Sequence, residues 1–315
     1  MADPPETTSR RKKRRHRPDE GVFYPRWFWP SFATPASVYI TVFFVLPLYV
    51  ILSVALGTVN EITQGPVPIY QPWFWTSKYL TKVIGNAVGY ERGVYIRTFL
   101  YVLIASIICV IIAYSVAYYV ARFGGKRKGL FLTLLIAPFF VSYLMRMLAW
   151  INLLQTDGYV NRVLGWIPFA PHNVSWLAGY PVTLVLGLVY GYIPYMILPF
   201  YGFLDRIQQS LLEAGRDLGA SPARTFVRVT LPLSRQAILA GIVIVSLPMF
   251  GDYYTHDLLS RTVKTTMVGN LLDRAVNDTG QGPSAAVLVI ILMIILLVPM
   301  AYYLRSTSNE LKVNG

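Results

Sequence analysis

The 315-residue sequence is poor in charge and has little cysteine or histidine. Charged residues make up 14% of the chain, whereas a soluble domain carries about 25%, and this deficit excludes an ordinary soluble fold. The only cysteine, Cys109, lies in an apolar run, which excludes a disulfide framework and a cysteine-based metal site. Because the three histidines are scattered along the sequence, we expect no metal site.

The sequence instead contains several long apolar runs. The chain is 55% hydrophobic, and several runs exceed the roughly 18 residues at which a transmembrane helix is the default interpretation. We predict an all-α, polytopic membrane protein with about six spanning helices. Their expected ranges are 36–57, 95–121, 130–154, 180–203, 237–257 and 284–304.

Lysine and arginine are distributed unevenly between the segments that join these spans. They are concentrated in the N-terminal tail, in 122–128 and in 204–236, and they are sparser in the alternate loops. Cytoplasmic loops of membrane proteins carry the excess of positive charge. We therefore expect a multi-pass protein of the plasma or inner membrane, with both termini and the 204–236 loop in the cytoplasm.

The sequence divides into three expected regions. A basic, disordered cytoplasmic tail (1–30) contains the run RRKKRRHR, a transmembrane domain follows (31–307), and a short cytoplasmic tail ends the chain (308–315). Such a basic run can mark nuclear import or nucleic-acid binding. Ahead of a membrane helix it is more typical of a segment that holds the N-terminus inside and touches anionic lipid. We expect membrane lipid, and no nucleic acid, as its partner.

The most polar long stretch in the second half of the chain is LLEAGRDLGASPARTFVRVTLPLS, residues 211–234. Apolar residues recur here at helical spacing and polar residues take the opposite face. The apolar set is Ile207, Leu211, Ala214, Gly215 and Leu218, and the polar set includes Glu213, Arg216 and Asp217. Gly219 can end this helix in a left-handed conformation, and Ser221 with Pro222 can begin a second helix. The pattern predicts a rigid helix–turn–helix docking element.

At these residues the chain resembles the permease subunits of ABC importers, which carry a cytoplasmic signature of the form E-A-A-x3-G-x9-I-x-L-P. The residues that match it at the right spacing are Glu213, Ala214, Gly219, Leu231 and Pro232. Gly215 stands in place of the second alanine and Val229 in place of the isoleucine. The resemblance implies that these residues, together with Asp217, form the loop that couples the permease to its ATPase.

The resemblance covers about residues 36–304 and is closest to the spermidine/putrescine-type permeases. It is carried by APFFVSYLMRMLAW, TDGYVNRVL, YGYIPYMILPFY and LPMFGDYYTHDLL. It implies a type I ABC importer permease fold. It also implies a complex of two related permeases, two cytoplasmic ATPases and an external substrate-binding protein, with polyamines as the transported solutes.

The sequence contains no nucleotide-binding P-loop of its own. The stretch FGGKRKG (123–129) has a Gly-Lys pair, but it lacks the upstream glycine and the following serine or threonine. We therefore expect a chain that is not an enzyme and binds no cofactor. ATP and Mg²⁺ would be bound by the partner ATPase subunits.

Charges within the spans are scarce, so each is a candidate for a functional role. Arg146 and Asp252 are expected in the outer halves of spans three and five, where they either pair with each other or line a water-filled path. A polyamine requires carboxylates for its ammonium groups and aromatic faces between them. The candidate path residues are Asp252, Tyr253, Tyr254, Asp257, Arg146 and Tyr192. A structural pair or helix cap is the alternative role for Asp252.

Other functions stay open at this point. The same loop would serve an importer of another small organic solute or an anion. An intramembrane enzyme would require a cluster of catalytic groups at membrane depth, whereas the spans offer the isolated Arg146 and Asp252. A membrane scaffold or receptor would not require the helix–turn–helix loop in this register.

Overall fold

The computed structural model of the protein describes residues 27–168 and 173–313. Most of the predicted basic tail, 1–26, and the last two residues of the predicted C-terminal tail, 314–315, lie outside the described residues. The described residues divide into two compact units, one before Val50 and one from Val50 onward.

Helices make up nearly all the regular structure of the described residues. In chain order they are α1 (Phe28–Ile40), α2 (Leu46–Ala55), α3 (Lys78–Val88), α4 (Arg92–Phe123), α5 (Lys128–Ile136), α6 (Tyr143–Leu154), α7 (Tyr159–Leu164), α8 (Pro181–Leu204), α9 (Gln209–Asp217), α10 (Pro222–Thr225), α11 (Leu231–Leu233), α12 (Arg235–Phe250), α13 (Tyr254–Leu259), α14 (Val268–Asn277) and α15 (Gly282–Val313). Two short antiparallel strands, β1 (Thr58–Val59) and β2 (Pro66–Val67), form a hairpin between α2 and α3.

Four continuous helical stretches of the described residues are long and apolar enough to cross a membrane. They are Ser31–Ala55, Arg92–Phe123, Pro181–Leu204 and Gly282–Thr307. Two further candidates are bent pairs, Gly125–Phe140 with Tyr143–Leu154 and Pro222–Leu233 with Arg235–Phe250. If each bent pair is one span, six spans result, which agrees with the predicted all-α, polytopic fold.

The third predicted span, 130–154, is not continuous, and that prediction was wrong in this respect. Its two helices meet at 92°. After the 3₁₀ turn Ala137–Phe140, Val141 is extended, and the Ser142 hydroxyl caps α6 by accepting a hydrogen bond from the Met145 N–H at 3.3 Å. Pro138 at the start of the 3₁₀ turn and a new N-cap at Ser142 together explain why the helix restarts in another direction.

The fifth predicted span, 237–257, is interrupted near Pro248 and Gly251, as these two residues predict. The helix α12 stops at Phe250, Gly251 follows as its C-cap, and the separate helix α13 begins at Tyr254. Pro248 lies in the last turn of α12. Because a proline ring disrupts the hydrogen bond of the preceding turn, the break follows from local sequence. It leaves Asp252 in the connection between two helices.

The core of the second unit lies between α4, α8 and α12. The contact between α4 and α8 is the most extensive, and α12 packs against both. Small side chains let the helices approach closely, since Ala105, Ala113 and Ala117 in α4 are fully buried. Cys109 is fully buried in the same face of α4, as expected for a small apolar side chain.

The two ends of α4 meet different parts of the fold. At one end, the Arg122 guanidinium donates a hydrogen bond to the Ile207 carbonyl, which places the 204–236 loop there. At the other end, the Thr98 hydroxyl accepts from the Val268 N–H at 3.0 Å, so α14 packs at this end. A second apolar cluster, which contains Val83 and Ala275, joins α3, α14 and α15.

Candidate functional site

The first candidate site is the 204–236 loop, whose first helix is α9. Leu212 is buried at 9% exposure, whereas Leu211 and Leu218 are 48% and 89% exposed. Of the apolar residues that recur at helical spacing here, Leu211, Ala214 and Leu218 are all exposed. Glu213 is exposed on the same helix, where it accepts a hydrogen bond from Gln209 Nε2 at 3.0 Å. The exposed surface of α9 therefore combines apolar and acidic groups.

A tight turn ends α9. Gly219 has φ +79°, the Gly219 N–H donates to the Arg216 carbonyl at 2.8 Å, and the Ala220 N–H donates to the Gly215 carbonyl at 3.2 Å. These two bonds form a Schellman motif, which requires the left-handed residue that glycine supplies most readily. The prediction that Gly219 ends the helix in a left-handed conformation is confirmed, and two backbone hydrogen bonds hold the turn.

The second helix of the loop begins where the sequence predicts. The Ser221 hydroxyl accepts from the Arg224 N–H at 3.3 Å, and Pro222 is the first helical residue. The turn Phe226–Thr230 is then π-helical, with the Leu231 N–H donating to the carbonyl five residues back. Pro232 follows directly, and a widened turn accommodates a ring that would clash in a regular α-helix.

Aromatic and polar contacts fix this loop to the membrane helices. The Phe226 ring packs edge-on against Tyr118 and Tyr114 of α4, with centroid distances of 5.4 and 5.8 Å. The Tyr114 hydroxyl lies 2.8 Å from the Ser234 hydroxyl. Such buried aromatic contacts add about 0.5–1.5 kcal/mol per pair beyond their burial. Movement of the loop is therefore tied to movement of α4.

Two cations bind the segment that precedes α9. The sequence alone had suggested only a role in membrane topology for them. Arg122 Nη1 donates to the Ile207 carbonyl at 3.1 Å, and Lys128 Nζ lies 2.6 Å from Asp205 Oδ1. The two contacts tie the end of α4 and the start of α5 to the segment that leads into α9. The only available sequence signal was the clustering of basic residues, which gives no pairing.

Replacing Gly215 by alanine should stabilise α9. A Cβ at this position would lie 3.4 Å from Thr225 Cγ2, which is ordinary van der Waals contact. Alanine is favoured over glycine inside a helix by about 0.5–1 kcal/mol, so amide exchange within α9 should slow by roughly two- to fivefold. Hydrogen-exchange mass spectrometry of the full chain measures this. Ala214→Gly, an exposed neighbour in the same helix, should have the opposite effect, and faster exchange in Gly215→Ala would contradict the argument.

The second candidate site is built around the buried carboxylate of Asp252, which is 6% exposed. Its Oδ1 accepts from the Thr255 N–H at 2.9 Å. Its Oδ2 accepts from the hydroxyls of Thr255, Tyr143 and Tyr192 at 2.7, 2.9 and 3.1 Å. These donors satisfy most of the acceptor capacity of a carboxylate, so a charge can be buried here without a cation.

Three different helices bring these donors together. Tyr143 is the first residue of α6, Tyr192 lies in α8, and Thr255 lies in the first turn of α13. Gly191 leaves room for the Tyr143 ring, because a Cβ at that position would come within 2.6 Å of Tyr143 Cε2. The carboxylate therefore joins α6, α8 and α13 at one point and caps the start of α13.

Arg146 does not pair with Asp252. Within residues 27–168 and 173–313, Lys128 forms an ion pair with Asp205, and His256 Nδ1 lies 2.9 Å from Asp257 Oδ1. Arg146 is 8% exposed, its guanidinium carbon lies 5.5 Å from the centre of the Tyr143 ring, and its Nε has no hydrogen-bond partner in this part of the chain. Of the two alternatives for this pair, direct pairing is excluded.

The other predicted path residues follow Asp252 in sequence but have different surroundings. The rings of Tyr253 and Tyr254 stack at 4.2 Å, and Tyr254 is 47% exposed. Asp257 Oδ1 accepts from Asn270 Nδ2 at 2.8 Å and lies 2.9 Å from Nδ1 of His256. His256 is a buried residue of α13.

Sequence reasoning missed Tyr143 and Thr255 as partners of Asp252. A signal for Thr255 existed, since an aspartate three residues before a threonine at the start of a helix is a capping pattern. No local signal identifies Tyr143, which is 109 residues from Asp252 in sequence.

Comparisons with known proteins identify the class of protein that this fold and loop define. The model of the family described as "Binding-protein-dependent transport system inner membrane component" matches residues 110–306. The chain therefore belongs to this family of inner-membrane transport permeases.

Particular relatives share sequence over part of the chain. The chain is 34% identical over 182 residues to the spermidine/putrescine transport system permease protein PotB of Escherichia coli (strain K12), a match that covers 58% of this chain and 66% of that protein. It is 37% identical over 149 residues to PotB of Haemophilus influenzae, covering 47% of this chain and 51% of that one. The chain thus spans between half and two thirds of the length of these curated relatives.

A solved structure agrees on the fold. A chain in the crystal structure of a bacterial alginate ABC transporter, in complex with an alginate pentasaccharide-bound periplasmic protein, superposes with a TM-score of 0.67. The match covers 88% of this chain and 92% of that chain at 15% identity. At this identity the likeness shows the fold alone, and the predicted ABC importer permease fold is confirmed.

Proposed function

We propose that this chain is the permease subunit of an ATP-driven importer and that it forms a translocation path for polyamines together with a second, related permease. The observation that carries the proposal is the helix–turn–helix loop. It has a hydrogen-bonded Schellman turn, an exposed face on α9 and aromatic contacts to α4. The similarity of the chain to a spermidine/putrescine permease supports polyamines as the solute.

In the proposed complex this loop docks one cytoplasmic ATPase subunit, and the corresponding loop of the second permease docks the other. Exposed Leu211 and Leu218 offer apolar contact surface, and Glu213 offers a carboxylate between them. Apolar groups exposed among polar ones are typical of surfaces that bind a partner. The ATPases bind ATP and Mg²⁺, and their closure moves the loop, which moves α4 through Phe226.

The proposal includes the membrane topology, the bounds of the regions and the external partner. Residues 204–236 and both termini face the cytoplasm, residues 31–307 form the transmembrane domain, and the flanking tails 1–30 and 308–315 are cytoplasmic. The opposite end of the helices faces an external substrate-binding protein, such as the periplasmic protein bound in the alginate transporter structure.

The proposed path runs beside Asp252. A polyamine ammonium group would bind this carboxylate in a conformation in which Tyr143 or Tyr192 has withdrawn its hydroxyl, because both now occupy Oδ2. Tyr253, Tyr254 and Asp257 offer stacked aromatic faces and a second carboxylate nearby in sequence. Cation–π contacts to such faces suit the methylene-spaced ammonium groups of polyamines.

A second candidate is an importer permease for another small organic solute. It is favoured by Arg146, which is buried beside Tyr143 without a carboxylate partner in the described residues. A buried guanidinium would repel a polyamine and would attract a carboxylate or phosphate.

Uptake of radiolabelled spermidine and putrescine tests the proposal. Cells that lack this chain but retain its companion subunits should take up little of either, and re-expression should restore uptake that stops when cellular ATP is depleted. Labelled succinate serves as an anionic solute in parallel. Polyamine uptake that does not depend on the chain would overturn the polyamine assignment, and restored succinate uptake alone would favour the second candidate.

A further inference from the structure

A cavity of about 440 Å³ lies at the end of α4 opposite the 204–236 loop. It is bounded by α3, α4, α14 and the start of α15, and it is separate from the Asp252 cluster. Its charged and polar lining includes Lys82, Glu91, Arg97, Arg274, Asp278 and Ser284. Five charged side chains thus converge on one small space.

None of these five charges forms an ion pair within the described ranges 27–168 and 173–313. Arg97 is half-buried, and its Nε is a buried donor without a hydrogen-bond partner among the described residues. Ser284 is 5% exposed, and its hydroxyl lacks such a partner as well. A buried unsatisfied polar group costs about 1–3 kcal/mol, so two of them lining one cavity point to a ligand that accepts hydrogen bonds.

The charges specify the chemistry of that ligand. Three cations, Lys82, Arg97 and Arg274, outnumber the two carboxylates, and arginine Nε can only donate. An arginine fork matches phosphate oxygens in bidentate geometry, and lysine adds a point charge. The expected ligand is therefore a phosphate group.

The position of the cavity along α4 agrees with this chemistry. Arg97 directly precedes the apolar part of a 32-residue spanning helix, and Val94, Leu271 and Leu288 form apolar walls beside the charges. Arginine and lysine at the ends of spanning helices commonly meet the headgroup layer. The exposed carboxylate of Asp278 lies at the rim, where an ammonium group attached to the phosphate would be accepted.

We propose that this cavity is a binding site for a phosphate group, with Arg97 and Ser284 as its buried donors and Lys82 and Arg274 at its opening. The source of the phosphate is either the headgroup of a phospholipid or free inorganic phosphate. Either source would bind the same donors. The site stands independently of the transported solute.

The test measures thermal unfolding of the full-length chain in detergent with three additions. These are inorganic phosphate, short-chain phosphatidylethanolamine, and the matched diacylglycerol that lacks the phosphate. We expect one of the two phosphate compounds to raise the Tm in a saturable manner, and the diacylglycerol to leave it unchanged. Stabilisation by phosphatidylethanolamine alone identifies a lipid site, and stabilisation by inorganic phosphate identifies a site for the free anion.

Variants of the cavity decide whether these donors are responsible. Arg97→Gln should weaken the apparent affinity by about tenfold or more, the effect of one lost charge-assisted hydrogen bond. Ser284→Ala is a milder change that should weaken it severalfold, and it replaces Arg97→Gln if that variant does not fold. Arg92→Gln, an exposed arginine of the same helix that does not line the cavity, is the matched control. No stabilisation of the unaltered chain by either phosphate compound, or equal affinity in the cavity variants, would overturn the proposal.

Discussion

Asp252→Asn should reduce transport by about tenfold or more while the protein remains inserted in the membrane. The asparagine keeps one carbonyl oxygen in place of a carboxylate that accepts four hydrogen bonds. A hydrogen bond to a charged group is worth about 1.5–3 kcal/mol. A free-energy loss of about 1.4 kcal/mol corresponds to a tenfold change in an equilibrium constant. The junction of α6, α8 and α13 loosens, and any solute cation loses its counter-charge. Uptake of labelled solute by membrane vesicles measures the effect.

Two further variants separate a structural role for Asp252 from a role in the path. Asp252→Ala leaves three hydroxyls and one N–H without their acceptor, so it should lower the Tm markedly. Tyr192→Phe removes one of the four hydrogen bonds and keeps the carboxylate, so it should lower the Tm less than Asp252→Ala does. Asp157→Asn, at an exposed aspartate, is the charge control. If Asp252→Asn transports normally, the carboxylate has only the helix-capping role.

The loop could be predicted from the sequence because its determinants are local. Gly219, Ser221 and Pro222 each fix the backbone of their own turn, and the structure has all three in the expected roles. Which face of α9 is packed could not be predicted. Helical periodicity identifies an apolar face but assumes that it is buried, whereas Leu211 and Leu218 are exposed. An apolar face reserved for a partner has the same sequence pattern as one packed in a core.

The surroundings of Asp252 could not be predicted for a different reason. Its partners Tyr143 and Tyr192 lie 109 and 60 residues away in sequence and are brought close only by the packing of α6 and α8. The bend of 92° within the third predicted span had local signals in Pro138 and Ser142. A hydropathy window averages over both, so it detects the apolar length and not the direction of the chain.

Gly219→Val should abolish coupled transport, and the reason is conformational. A Cβ at this position meets nothing within 4 Å, so no steric contact with neighbours would oppose the new side chain. The backbone, however, has φ +79°, a region that a β-branched residue adopts only at a cost of about 1–3 kcal/mol. Valine would therefore break the Schellman turn and change the angle between α9 and α10, which would misalign the proposed ATPase-docking surface.

Asparagine provides the matched comparison at the same position. It tolerates the left-handed conformation better than other non-glycine residues, so Gly219→Asn should retain most of the transport that Gly219→Val loses. Solute uptake and solute-stimulated ATP hydrolysis by the assembled complex are measured together, with membrane insertion checked by fractionation. If the turn transmits ATPase closure, valine should uncouple the two activities and asparagine should not. Equal loss in both variants would mean that the partner surface requires a bare backbone at Gly219, and full activity in both would remove the turn from the coupling mechanism.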